Sequence, residues 1–181
     1  MAAANFLNLF SPLLSPDSGA EGGFSGSILI LGYGNPDRED DGVAWHILDR
    51  LASRLDPDSQ GMGEETVRSF GRVTLKFALQ LMPEMAEEVA EFGRVVFIDA
   101  HTGSEPEDLT WLPLAAQFQK SPFTHHMTPA TLLSIAESLY GSRPEAVLVA
   151  VRGFDFGFRR GLSERTLQLS QQAEQKIWEW I

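Results

Sequence analysis

The chain has no cysteine. That excludes a disulfide framework, a thiolate metal site and a cysteine nucleophile, and it suits a reducing cytoplasm, the expected location. Basic residues are scarce: 14 Lys and Arg stand against 25 Asp and Glu, for a formal net charge of −11 and a pI near 4.7. A general basic footprint for nucleic acid is thereby excluded. No stretch supplies the roughly 20 apolar residues of a membrane span. Residues 1–27 lack Lys and Arg altogether, and their apolar part, Phe6 to Leu14, is interrupted by Pro12. A signal peptide needs a basic start and an unbroken apolar core, so this stretch reads as a flexible N-terminal extension. The remainder, 28–181, is long enough for one domain with a full core. No exposed helix carries an obvious second apolar stripe, so a monomer is expected.

What the chain does have is strand alternating with helix. Ile28–Leu31 is a buried strand, and Gly42–Leu55 a helix with Val43, Ile47, Leu48 and Leu51 on one face. Val73–Phe77 alternates as a strand, and Thr66–Phe70 is either its partner or loop. Pro83–Phe92 reads as a helix. Val95–Ile98 reads as a central strand, apolar on both faces, and Leu109–Leu112 as a short edge strand. Thr128–Tyr140 is a helix capped by Thr128 with Pro129 at its first position. Ala146–Val151 is a strand, and Glu164–Ile181 a helix capped by Ser163. This alternation predicts an α/β fold, a three-layer helix–sheet–helix arrangement around a mostly parallel twisted sheet.

The chemistry concentrates after the first strand. Gly32-Tyr33-Gly34-Asn35 is followed by Pro36-Asp37-Arg38-Glu39-Asp40-Asp41-Gly42. Gly32 and Gly34 permit a tight turn and close approach of a substrate backbone, and Asn35 holds the loop through its side chain. A phosphate loop would present backbone amides to an anion. Here four carboxylates and one arginine occupy that place, a composition that repels phosphate and suits a cation. In parallel sheets ligands bind outside the carboxyl ends of strands. Asp99 falls at such an end, Asp40 or Asp41 at a helix start, and His125 or His126 ahead of a later helix. Asp40 or Asp41 is also the expected cap of that first helix. Two carboxylates and an imidazole with one position open suit nickel or zinc. His101 and His46 are weaker candidates. Trp45, Leu48, Phe97 and Val149 read as core. Phe154-Asp155-Phe156-Gly157-Phe158 is either part of a substrate cleft or an aromatic loop packed on its own core. Arg159 and Arg160 either contact an acidic substrate segment or are solvated.

Gly32-Tyr33-Gly34-Asn35, Asp40-Asp41-Gly42-Val43, Phe97-Ile98-Asp99-Ala100 and Thr124-His125 together resemble the hydrogenase maturation endopeptidase family. Gln80-Leu81-Met82-Pro83-Glu84 is similar to a segment of one branch of it. The resemblance covers roughly residues 28 to 180. It implies a protease that removes a C-terminal extension from the large-subunit precursor of a nickel–iron hydrogenase after the metal centre is built. It also implies Asp41, Asp99 and His125 as the metal-binding and catalytic positions, with His126 as second choice for the imidazole. Gly32, Gly34, Asn35, Asp40 and His126 would form the surrounding substrate loop. The nickel is expected to be carried by the substrate, so that binding reports whether the centre is complete.

Readings from other classes compete. A nucleotide-binding domain would use Gly32–Asn35, but the acidic loop and the missing third glycine of Gly-x-Gly-x-x-Gly argue against it. A non-catalytic protein that holds the hydrogenase precursor would keep the cleft without needing the ligands. A different metallohydrolase is a further alternative.

Overall fold

Alternation of apolar side chains decides the layering. In β1 (Ile28–Tyr33), Ile28 and Ile30 join one buried cluster while Leu29 and Leu31 join another on the opposite face. The computed structural model describes residues 26–58, 60–63, 66–117 and 127–181. Of the expected N-terminal extension, only Gly26 and Ser27 are among them.

The chain continues through α1 (Val43–Leu55), the strands β2 (Val67–Phe70) and β3 (Val73–Ala78), and the short α2 (Met85–Ala90). Then follow β4 (Arg94–His101), β5 (Leu109–Leu114), α3 (Pro129–Tyr140), β6 (Glu145–Arg152) and α4 (Glu164–Trp180). Six strands form one sheet in the order β2-β3-β1-β4-β6-β5. The inner four are parallel, and the edge strands β2 and β5 pair antiparallel with their neighbours. Helices α1 and α4 contribute to the core on one face, α2 and α3 to that on the other. The fold is therefore the expected three-layer α/β arrangement with a mostly parallel sheet. No helix among the described residues is long and apolar enough to cross a membrane.

Several local details differ from the sequence expectation. Thr66–Phe70 is not loop: from Val67 it pairs with β3 as an antiparallel edge strand. The helix expected over Pro83–Phe92 is only Met85–Ala90. The first helix has Gly42 as its N-cap, with no side-chain capping bond. Asp40 and Asp41 instead lie in a short 3-10 turn over Glu39–Gly42, and their carboxylates are used elsewhere. Thr128 does cap α3, accepting from the Thr131 amide at 3.2 Å. Ser163 likewise caps α4.

Candidate active site

The carboxyl ends of β1 and β4 lie side by side in parallel register, Gly32 opposite Ile98. The chain leaves β1 toward β3 on one side of the sheet, and leaves β4 toward β6 on the other. Such a reversal opens a crevice above the strand ends. A cleft of about 720 Å³ occupies it. Tyr33, Gly34, Asp41 and Asp99 line its base, Leu79 to Pro83 one wall, and Met127 to Ala130 the other.

Asp99 reaches the cleft as the sixth residue of β4. Burial pushes its carboxyl up to about 7; the Tyr33 hydroxyl and the Ala100 amide pull the other way, and the charge of Asp41 adds to the rise. Tyr33, one step beyond Gly32 on the neighbouring strand, has its own ionisation pushed far up by burial, with the charge of Asp99 and the hydrogen bond to it adding to the effect. Sequence reading passes over Tyr33. The available signal is its alternation with Leu29 and Leu31, which puts it on their face at the end of β1.

Asp41 is set by the turn before it. Its Oδ2 accepts from the Asn35 amide at 3.0 Å, and Asn35 Oδ1 accepts from the Asp37 amide at 3.0 Å, so Asn35 does hold the loop. Gly34 has φ of +138°, and a Cβ there would stand 2.1 Å from the Asp41 carbonyl oxygen. Only glycine permits this turn to close on Asp41. Gly32 differs. It is buried within β1, and a Cβ on it would meet Leu48 Cδ1 at 2.9 Å and Ala44 Cβ at 3.0 Å. Its bareness lets α1 pack on the strand and does not serve the cleft.

Asp40 points away from the cleft. It is fully buried and accepts hydrogen bonds from the backbone of residues 154, 155 and 163 and from the hydroxyls of Ser163 and Thr166. Burial opposes its charge, but the amides of Asp155, Phe154 and Ser163 and the Ser163 hydroxyl outweigh that and hold the carboxyl below the usual carboxylate range. Glu39 is likewise turned inward, accepting from the Gly157 amide at 2.5 Å and pairing with Arg159. Arg160 pairs with Asp37 at 2.6 Å. The acidic run thus straps the loop after β6, and its two arginines are engaged within the chain. Phe158 at the loop's tip is 89% exposed.

The other histidines fall apart from the cleft lining. His46 is half-buried on α1, edge-on to Trp45, its basicity lowered by burial and by Arg50. His101 is buried, with Nδ1 accepting from the Gly103 amide at 3.2 Å. His125 and His126 lie outside the described residues. Met127, next to His126 in sequence, lines the cleft. Among the described residues no three His, Cys, Asp or Glu come together as a metal site. Two carboxylates do converge, and among the described residues no Lys or Arg lines the cleft to neutralise them. That donor set fits a cation.

The fold is that of the hydrogenase maturation endopeptidases. The hydrogenase maturating endopeptidase HybD from Escherichia coli is 20% identical, with a TM-score of 0.59 over 83% of this chain and 89% of that one. The [NiFe] hydrogenase maturation protease HycI from Thermococcus kodakarensis is 23% identical, with a TM-score of 0.57 over 85% and 91%. The hydrogenase 2 maturation peptidase from a Thaumarchaeota archaeon is 20% identical, with a TM-score of 0.56 over 84% and 96%. No protein-family profile matches the chain, and no curated protein does.

Proposed function

We propose that this protein is an endopeptidase of hydrogenase maturation, cutting a C-terminal extension from the large-subunit precursor of a nickel–iron hydrogenase. The observation that carries the proposal is the convergence of Asp41 and Asp99, with no Lys or Arg beside them among the described lining residues, in the strand-end cleft of this fold. The shared fold with maturation proteases supports it.

In this reading the precursor brings the nickel, and Asp41, Asp99 and His125 engage it from the protease side. His126 is the alternative imidazole. One carboxylate oxygen of Asp41 is already committed to the Asn35 amide, which leaves Oδ1 for the ion. A cation so placed would polarise the scissile carbonyl or a water. The apolar walls around Leu79, Met82 and Met127 would exclude bulk water from the extended peptide, strengthening each charge interaction at the base. Before the ion is engaged Asp99 has a pKa of about 7, so at neutral pH it would release its proton readily on engaging the nickel. The absence of cysteine agrees with a cytoplasmic site of action.

The test is processing in cells that depend on this protein. Asp99→Asn is expected to fold yet leave the precursor at full length on a denaturing gel. Normal processing by that variant would remove Asp99 from the chemistry. A protein that binds the precursor through this cleft but leaves wild-type samples uncut would be a holding factor instead.

A further inference from the structure

Asp40 and Thr166 line no part of the cleft, yet they are built onto it. Asp40 Oδ2 accepts from the amides of Phe154 at 2.8 Å and Asp155 at 3.0 Å, from the Ser163 hydroxyl at 2.7 Å and from the Thr166 hydroxyl at 2.8 Å. Its Oδ1 accepts from the Ser163 amide at 2.7 Å. These partners lie 114 to 126 residues further along the chain. There is no slack: a Cβ on Gly153 would stand 2.9 Å from Asp40 Cβ.

One residue later the chain faces the other way. Asp41 rests on Gly34 and binds the Asn35 amide at the cleft's base. One residue earlier, Glu39 sits at φ of +47°, a left-handed conformation that a non-glycine residue keeps only when its surroundings impose it. The short turn over Glu39–Gly42 is thus pinned at one side by the loop after β6 and the start of α4. On the other side it presents Asp41. A turn of four residues cannot shift Asp40 without shifting Asp41.

We propose that Asp40 and Thr166 are positioning residues for Asp41: the Thr166 hydroxyl fixes Asp40, and Asp40 fixes the turn that delivers Asp41 to the cleft. The functional meaning rests on the protease reading above, in which Asp41 engages the substrate's nickel. The geometric claim can be tested without it.

The variants are Thr166→Val, which removes the hydroxyl and keeps the shape, Thr166→Ser, which restores it, and Asp40→Asn. Amide hydrogen exchange by NMR on the full chain reads the Asn35–Asp41 bond directly. Thr166→Val and Asp40→Asn are expected to speed exchange at Asn35 by about tenfold while Ile30 and Leu31 in β1 keep their protection. Thr166→Ser is expected to match wild type. In cleavage of the nickel-loaded precursor, Thr166→Val is expected to lower kcat by about tenfold with KM held within about twofold. Unchanged exchange at Asn35 in folded variants would overturn the proposal. So would acceleration at Asn35 and Ile30 together, which would mean general loosening only. If Asp40→Asn does not fold, the Thr166 pair decides. If exchange behaves as expected but wild type never cuts the precursor, the positioning stands and the protease reading falls.

Discussion

Asp40 and Asp41 are adjacent in sequence and face opposite ways, Asp40 fully buried among donors from the loop after β6 and from α4, Asp41 lining the cleft. Adjacent carboxylates of similar chemistry therefore have separate roles, and substitutions at the two positions should fail differently.

Asp40→Ala strands several buried donors at once. Each unsatisfied buried group costs about 1–3 kcal/mol, so a loss of on the order of 4 kcal/mol is expected after partial relaxation. Asp41→Ala should lose far less stability and all processing. Urea denaturation of both variants checks this; equal losses would contradict it. The pH dependence has a definite sign. The folded carboxyl of Asp40 is held below its usual range, so its contribution is present above about pH 4 and is lost as pH falls through the lower folded value.

Asp99 works in the opposite sense. Its folded pKa is about 7 against an ordinary 3.8. Between those values the folded state holds a proton that the unfolded chain has released, so stability falls as pH rises across that window. The effect is on the order of 4 kcal/mol at most. Metal-free protein should be more resistant to urea at pH 5 than at pH 8, and Asp99→Asn should shrink that difference. An unchanged difference in the variant would show that Asp99 is not its source.

Two glycine substitutions separate backbone strain from site closure. Gly71 has φ of +60° and open space around it, so Gly71→Ala should cost about 1 kcal/mol and leave processing intact. Gly34→Ala meets the Asp41 carbonyl and should abolish processing as well as lower the thermal midpoint. Paired thermal melts and processing assays distinguish the two.

Thr128 caps α3 at the cleft wall. Thr128→Ala should lower stability by about 1 kcal/mol, and Thr128→Ser should recover most of it. Denaturant midpoints for the pair decide this.

The layering is legible in the sequence because it depends on local periodicity. Ile28 to Leu31 and Val95 to Ile98 are apolar throughout, the pattern of strands in a parallel sheet covered on both faces. Asp99 is legible as a polar residue at the end of such a strand. The division between Asp40 and Asp41 is not, because it is fixed by partners more than a hundred residues away. Gly32 misleads for a similar reason: its neighbours are Leu48 and Ala44 of the following helix, and a glycine beside a turn reads the same whether it makes room for a helix or for a ligand. The acidic loop reads as cation-seeking throughout, whereas Glu39 and Asp40 are spent on the loop after β6 and only Asp41 reaches the cleft.

In the proposed function the cleft cuts a nickel-bearing precursor. Intact mass spectrometry of a cognate hydrogenase large-subunit precursor, with and without nickel, after incubation with this protein tests it most directly. Loss of a C-terminal peptide mass in the nickel-loaded sample alone is the expected result. An uncut nickel-loaded precursor would contradict it.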